Sequence, residues 1–246
     1  MRGNWCSISR RNRRPRPCAT SELRWIAEWR FADDRYREAD IDADFGFRHA
    51  RPMFEGLPKA RADMKAGALY AVTGDAGWVY YGQVTPEKKI GFFRRRDRKP
   101  ADAAIVLNTP IMAVIIVAYP SITRALRSGR WKKLGRFAVA QELVQPRPSV
   151  YWPVGTLTVS VSELDEANRD TRVDDPAIQD MELVAVWDAE HHIPARLTAD
   201  FGIEQAEWHV GGPIRRERWI KEEMARRWPD QAWHKLPADW VPTGAT

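Results

Sequence analysis

The chain has 246 residues, of which 44% are hydrophobic, 29% charged and 11% aromatic, with a net charge of +6. That supplies enough apolar material for a buried core in one or two domains, and too much for a fully disordered chain. Collagen-like, low-complexity and disulfide-rich scaffolds are excluded by 15 glycines, 17 prolines and 2 cysteines.

The 12 tryptophans predict several large aromatic anchors, and the basic balance permits anionic partners without requiring them. Residues 1–20 hold Arg2, Arg10, Arg11, Arg13, Arg14 and Arg16 with no acid, which reads as a disordered basic arm. Cys6 and Cys18 lie in that arm, and their spacing matches no usual metal motif. No apolar segment follows the arginines, so a secretory signal is not expected. The longest apolar stretch, 103–119, is cut by Asn108 and Pro110 and falls short of the ~20 residues a membrane span needs. A reduced, cytoplasmic protein is the expectation.

Ser21 can cap a helix over 21–40 with Leu23, Trp25, Ile26, Ala27 and Trp29 on its apolar face, the first part of a helical extension reaching residue 64. Asp40, Asp42 and Asp44 then alternate like the start of a calcium loop. The later positions of that loop fail, so a solvated acidic turn is expected. From Ala66 the pattern becomes short strands and turns. Ala68–Val72 and Trp78–Val84 flank the cluster Gly74-Asp75-Ala76-Gly77 and predict a hairpin. A third strand starts at Ile90. Ala103–Leu107 and Ile111–Tyr119 read as further strands, the latter fully buried. Ser121 should cap a short helix over 121–127, and a strand follows from Trp131. Val150–Val154 and Thr156–Val161 predict another hairpin around Gly155, and Leu183–Trp187 one more strand.

Residues 163–190 carry ten acids against Arg169 and Arg172 only. After them, Pro213 suits the first turn of a helix with Ile220, Met224 and Trp228 on one stripe, and Pro229 ends it. The tail beyond Leu236 should fray. Together these elements predict an α+β, mainly β fold: a compact twisted antiparallel sheet or small barrel with a few flanking helices. The expected divisions are an arm (1–20), a helical extension (21–64), a β domain (65–200) and a C-terminal helix and tail packing on it (201–246).

No hydrolase, kinase or zinc-protease motif is present in the sequence, and neither catalysis nor a cofactor is expected. Gly211-Gly212-Pro213 is explained by a helix-initiating turn. His191 and His192 are adjacent, so their rings diverge and a shared metal ion is not expected. Arg94, Arg95, Arg96, Arg98 and Lys99 next to Phe92 and Phe93, and Lys132, Lys133 and Arg136 next to Trp131, interleave cations with aromatics. That pattern supports an alternative, a small-barrel nucleic-acid-binding protein.

The segments Lys65–Tyr70, Tyr80-Tyr81-Gly82-Gln83-Val84, Asn108-Thr109-Pro110-Ile111, Ser128–Gly135 and Glu182–His191 resemble, in order, those of the bacterial immunity protein 26 family. The resemblance spans about 65–200. Ala68 stands where that family commonly has Asp, and Trp152-Pro153 where it often has Gln-Asp. It implies a non-catalytic cytoplasmic protein of a polymorphic toxin system that binds and neutralises a cognate toxin domain. A nuclease toxin would present an electropositive cleft. The expected partner contacts are therefore Glu163, Asp165, Glu166, Asp174 and Asp175, with Tyr151 or Trp152 as anchor. Trp78, Trp131 and Trp187 are expected in the core.

Overall fold

The computed structural model describes residues 51–162, 168–202 and 211–244. The basic arm with its two cysteines, the 21–40 helix, the Asp40–Asp44 turn and the acids Glu163, Asp165 and Glu166 lie outside the described residues.

The fold is α+β and mainly β, with two mixed sheets, the larger curled into a half-barrel. In that sheet β1 (Ala68–Thr73) pairs antiparallel with β2 (Val79–Val84), Thr73 facing Val79 and Leu69 facing Gln83. The turn between them is closed by Gly74 N–H donating to Trp78 O, with Ala76 and Gly77 both at positive φ. The strands β3 (Ile90–Asp97) and β4 (Ile111–Val117) extend one side, and β5 (Trp131–Arg136) pairs with the free side of β1.

Two-residue alternation sorts these strands into two cores. Tyr70, Val72, Tyr80, Phe92 and Trp131 fill one, while Leu69, Ala71, Val79, Tyr81 and Phe93 fill the other. With both faces covered, β1 and β2 are buried end to end. Gly91 is needed for that cover: a Cβ there would come 2.3 Å from Leu143 Cδ2.

The second sheet has the order β8-β7-β6-β9. Its strands are β6 (Ser149–Tyr151), β7 (Thr158–Ser162), β8 (Arg169–Arg172) and β9 (Glu182–Leu183). Val150, Val159, Val161, Val173, Ile178 and Ile214 form its small core.

Several local expectations change. Ala103–Leu107 is a helix, α1, because Asp102 Oδ1 accepts from Ala104 N–H at 2.8 Å, and Asn108 and Thr109 side chains donate to carbonyls one turn back. An apolar run this short carries no decisive period. β4 alternates buried and half-buried residues instead of vanishing into the core. The helix α2 (Tyr119–Arg127) starts before Ser121, whose hydroxyl donates to Ala118 O and accepts from Ala189 N–H.

The segment expected as one strand at 183–187 is split. β9 runs parallel to β6 in the second sheet, and β10 (Val186–Trp187) runs parallel to β4 in the first. It ties the two sheets together. Residues 51–64 hold no helix; they form a strap whose Phe54 N–H donates to Gly129 O and Leu57 N–H to Leu126 O. Gly129 sits at φ +76, with Phe54 O 2.2 Å from where a Cβ would stand. The helices α3 (Ile193–Phe201) and α4 (Ile214–Arg227) complete the fold. No helix among the described residues is long and apolar enough to cross a membrane.

Candidate functional site

Two segments of the resemblance, 128–135 and 182–191, meet in space. Trp131 is buried against Tyr70 and Phe92, and its Nε1 donates to Ala189 O at 3.1 Å. Glu190 accepts from Ser128 Oγ at 2.8 Å and pairs with Arg130 at 3.1 Å and Arg124 at 3.3 Å. Asp188 accepts from the N–H groups of Glu190 and His191 and pairs with Arg124 at 2.6 Å. Burial pushes the Asp188 carboxyl up, but those hydrogen bonds and Arg124 outweigh it and hold the pKa below the usual value. His192 Nδ1 accepts from Asp188 N–H, a local turn contact. Among the described residues, no three His, Cys, Asp or Glu side chains gather as a metal site.

At the seam between the sheets lies a buried ion cluster. Arg196 is 1% exposed and donates to both Glu182 oxygens, at 2.8 and 2.7 Å, and to Asp200 at 2.7 Å. Arg216 reaches the other Asp200 oxygen at 2.8 Å. The Trp187 ring lies 4.9 Å from the Arg196 guanidinium. Glu182, Arg196, Asp200 and Arg216 line a cleft of about 320 Å³ together with Arg94, Arg147 and Met181. Arg196 to Glu182 joins α3 to β9, Arg216 to Asp200 joins α4 to α3, and Arg196 to Asp200 closes within α3.

The exposed aromatics lie elsewhere, where the β6–β7 hairpin meets α4 and the tail. Trp152 stacks on Trp240 at 6.1 Å and 16° and donates to Thr156 O. Lys221 Nζ sits 4.9 Å over the Trp152 ring. Beyond it, Trp228 lies 5.5 Å from His234, and Trp233 donates to His234 Nε2. Burial first, and the Lys221 charge second, push the His234 imidazole below its ordinary pKa. Trp233 is 74% exposed and Val154 79%, with Tyr151 and Trp228 partly so. A row of rigid aromatic surfaces with one cation among them is the composition of a protein-binding hot spot.

The expected partner residues divide accordingly. Trp152 is on this face, while Tyr151, one residue earlier on the strand, alternates away from it and is exposed. Asp174 and Asp175 lie just after β8, but both are engaged: Asp174 pairs with Arg172 at 2.9 Å. Asp175 accepts from Ala177 N–H and Thr171 Oγ1 and pairs with Arg169. Arg172 also holds Asp239. The described part of the acidic stretch is therefore no bare acidic surface. Asp180, Glu182, Asp188 and Glu190 are paired with Arg215, Arg196, Arg124 and Arg130 from other segments.

Of the three tryptophans expected in the core, Trp131 is fully buried, while Trp78 and Trp187 are partly buried and packed against the core's margin. The tail expected to fray is pinned. Trp240 Nε1 and Thr243 donate to Glu222 Oε1, and buried Arg218 donates to Val241 O. Trp228, Trp233 and Trp240 are the residues the sequence reading missed; their density over 219–240 was the available signal.

Compared with protein-family models, curated protein sequences and solved structures, the chain matches none.

Proposed function

We propose that this chain is a non-catalytic cytoplasmic protein that captures and neutralises a cognate toxin domain, as its resemblance to the immunity protein 26 family implies. The observation that carries the reading is the junction of Trp131 with Ala189 and of Glu190 with Ser128 and Arg130. Segments about fifty residues apart, each resembling the same family, are joined there by a buried hydrogen bond and a charge network. Chance likeness gives no reason for them to touch.

The aromatic face is the surface we assign to the toxin. Neutralisation needs slow release, and that comes from a few buried aromatic anchors ringed by polar groups. Trp152 and Trp233 supply the anchors. Glu163, Asp165 and Glu166, in the connection between β7 and β8, are the acids proposed to steer an electropositive partner onto that face.

The test is co-expression with each candidate toxin domain found encoded near this chain's gene. The wild-type chain restores growth and co-purifies with the domain through a high-salt wash. Trp233→Ala weakens both while keeping its thermal transition. A toxic domain that is neither bound nor neutralised by the folded wild-type chain overturns the reading.

A further inference from the structure

We propose a second binding surface where the strap meets α2 and β5: Lys59, Arg61, Lys65, Arg127, Lys133 and Arg136 form a cationic face that fits the phosphate backbone of duplex nucleic acid. It goes beyond the toxin-binding reading and does not depend on it. The face follows from how the strap is laid down. Over 60–64 it runs without helix or turn, and every second residue, Ala60, Ala62 and Met64, packs against the first core. Alternation turns Arg61 the other way, and it is exposed. Lys59 lies in the turn closed by Ala60 N–H donating to Leu57 O. Lys65 opens the next, where Ala68 N–H donates to Lys65 O, and both lysines are exposed.

Two neighbouring elements add cations to this row. The strap runs back along α2: Leu57 N–H donates to Leu126 O, and Ala62 N–H to Thr123 Oγ1 at 3.1 Å. Arg127, exposed at the end of α2, donates through Nε to Ala60 O at 3.2 Å. Further along, β5 brings Lys133 and Arg136 to Asp63, at 2.6 and 2.7 Å. Both meet the same oxygen, so one carboxylate serves two cations. Asp63 is the one acid in 59–65. Asp188 and Glu190, which reach α2, are matched by Arg124 and Arg130. Among the described residues, no acid pairs with Lys59, Arg61, Lys65 or Arg127.

The chemistry of the face selects the partner. Lysine is depleted from the cores of protein interfaces, because a strongly hydrated ammonium would have to give up its water there. Phosphates are met at the wet surface, and release of their condensed counterions drives binding. The strap turns its small apolar side chains inward. Leu57 is the one large apolar group exposed over 57–65, too little to seat the face in a bilayer. The row itself offers no aromatic ring on which a base could stack. A duplex, with its denser charge, is therefore preferred to a single strand, and binding is to the backbone and indifferent to sequence.

The test uses the full chain and a labelled DNA duplex of about twenty base pairs, with one of its strands alone as comparison, followed by fluorescence anisotropy over a salt series. Wild type binds the duplex, and more tightly than the single strand. Lys59→Gln/Arg61→Gln/Lys65→Gln keeps the thermal transition, lowers duplex affinity at least about tenfold and flattens the salt slope by about 2.7, for three lost phosphate contacts. Arg94→Gln/Lys99→Gln/Lys235→Gln, which removes the same charge from exposed positions on β3, just after it and in the tail, leaves both nearly unchanged. If the strap triple does not fold, the Arg61→Gln/Lys65→Gln pair gives the same comparison with a slope change of about 1.8. Equal losses in the two triples, no loss in the strap triple, or no duplex binding at low salt overturn the site. A single strand bound as tightly as the duplex overturns the duplex as partner. Phosphatidylglycerol vesicles that capture the wild type but not the strap triple, without duplex binding, overturn nucleic acid as the source of the phosphates.

Discussion

The two sheets spend the same residue types in opposite ways. The larger sheet buries Tyr70, Tyr80, Tyr81, Phe92, Phe93 and Trp131 completely and keeps its charges at the margins. The smaller sheet has a core of small aliphatics, and the tryptophans around it, Trp152, Trp228, Trp233 and Trp240, remain at least partly exposed. A tryptophan flanked by neighbours on both faces of a long strand is core. One carried on a three-residue strand, a helix end or a tail has no opposite layer to sink into. The first region closes its rings into a core, and the second leaves its rings at the surface.

Removing a side chain at the heart of each arrangement is the strongest way to break that contrast. Trp131→Ala should cost ~3–5 kcal/mol in urea unfolding, since it empties a closed site and strips Ala189 O of its donor. Arg196→Ala should cost about 3–5 kcal/mol, because Glu182 and Asp200 would be left at the seam without their main counter-charge. Arg196→Met, which keeps the apolar stem, should recover little of it. A loss under about 1 kcal/mol in either variant would mean that the buried contacts described for it do not hold the fold.

Legibility in the sequence follows the same divide. The hairpin of β1 and β2 was readable because each strand has at least six residues and the Gly-Asp-Ala-Gly turn sits between them. The β6–β7 hairpin was readable from the Gly155 turn between two valine-rich runs, although its strands have only three and five residues. The seam was not. Its strands β9 and β10 have two residues each, so Leu183–Trp187 carries no period that says where one sheet ends and the other begins.

The charge count misled for a related reason. Among the described residues, Asp180, Glu182, Asp188 and Glu190 look like part of an acidic surface until Arg215, Arg196, Arg124 and Arg130 arrive from distant segments. Ion pairs across long sequence separations leave no local pattern. The aromatic face was half visible, through Trp152. Its other half depends on a tail held by Arg172, Arg218 and Glu222, three contacts that composition does not encode.

The larger sheet's burial also has a pH signature that the smaller sheet lacks. Burial pushes the phenols of Tyr70 and Tyr81 up to about 12. Tyr81 is pushed further by the carboxylate of Asp97, to which it donates at 2.8 Å. The folded protein thus favours the protonated phenol. The stabilisation is complete below the unfolded pKa of about 10 and is lost as pH rises toward about 12. Phenolate absorbance should show a late component that disappears in Tyr70→Phe/Tyr81→Phe. If all the phenols of the folded protein ionise together near their ordinary value, these two are not buried as described.

The smallest effect on stability sharpens the comparison most. Trp233→Ala removes the most exposed aromatic ring from the second region and should change unfolding free energy by no more than about 0.5 kcal/mol. Trp240→Ala should cost more, because Trp240 supports the Trp152 ring and anchors the tail to Glu222. If the face exists to bind, it carries in Trp233 a large apolar ring that the fold does not need. Trp233→Ala would then weaken partner binding by about 2 kcal/mol or more, the loss expected of a hot-spot residue. A Trp233→Ala protein that unfolds early would place that ring with the structural tryptophans, and the division between the two regions would fall with it.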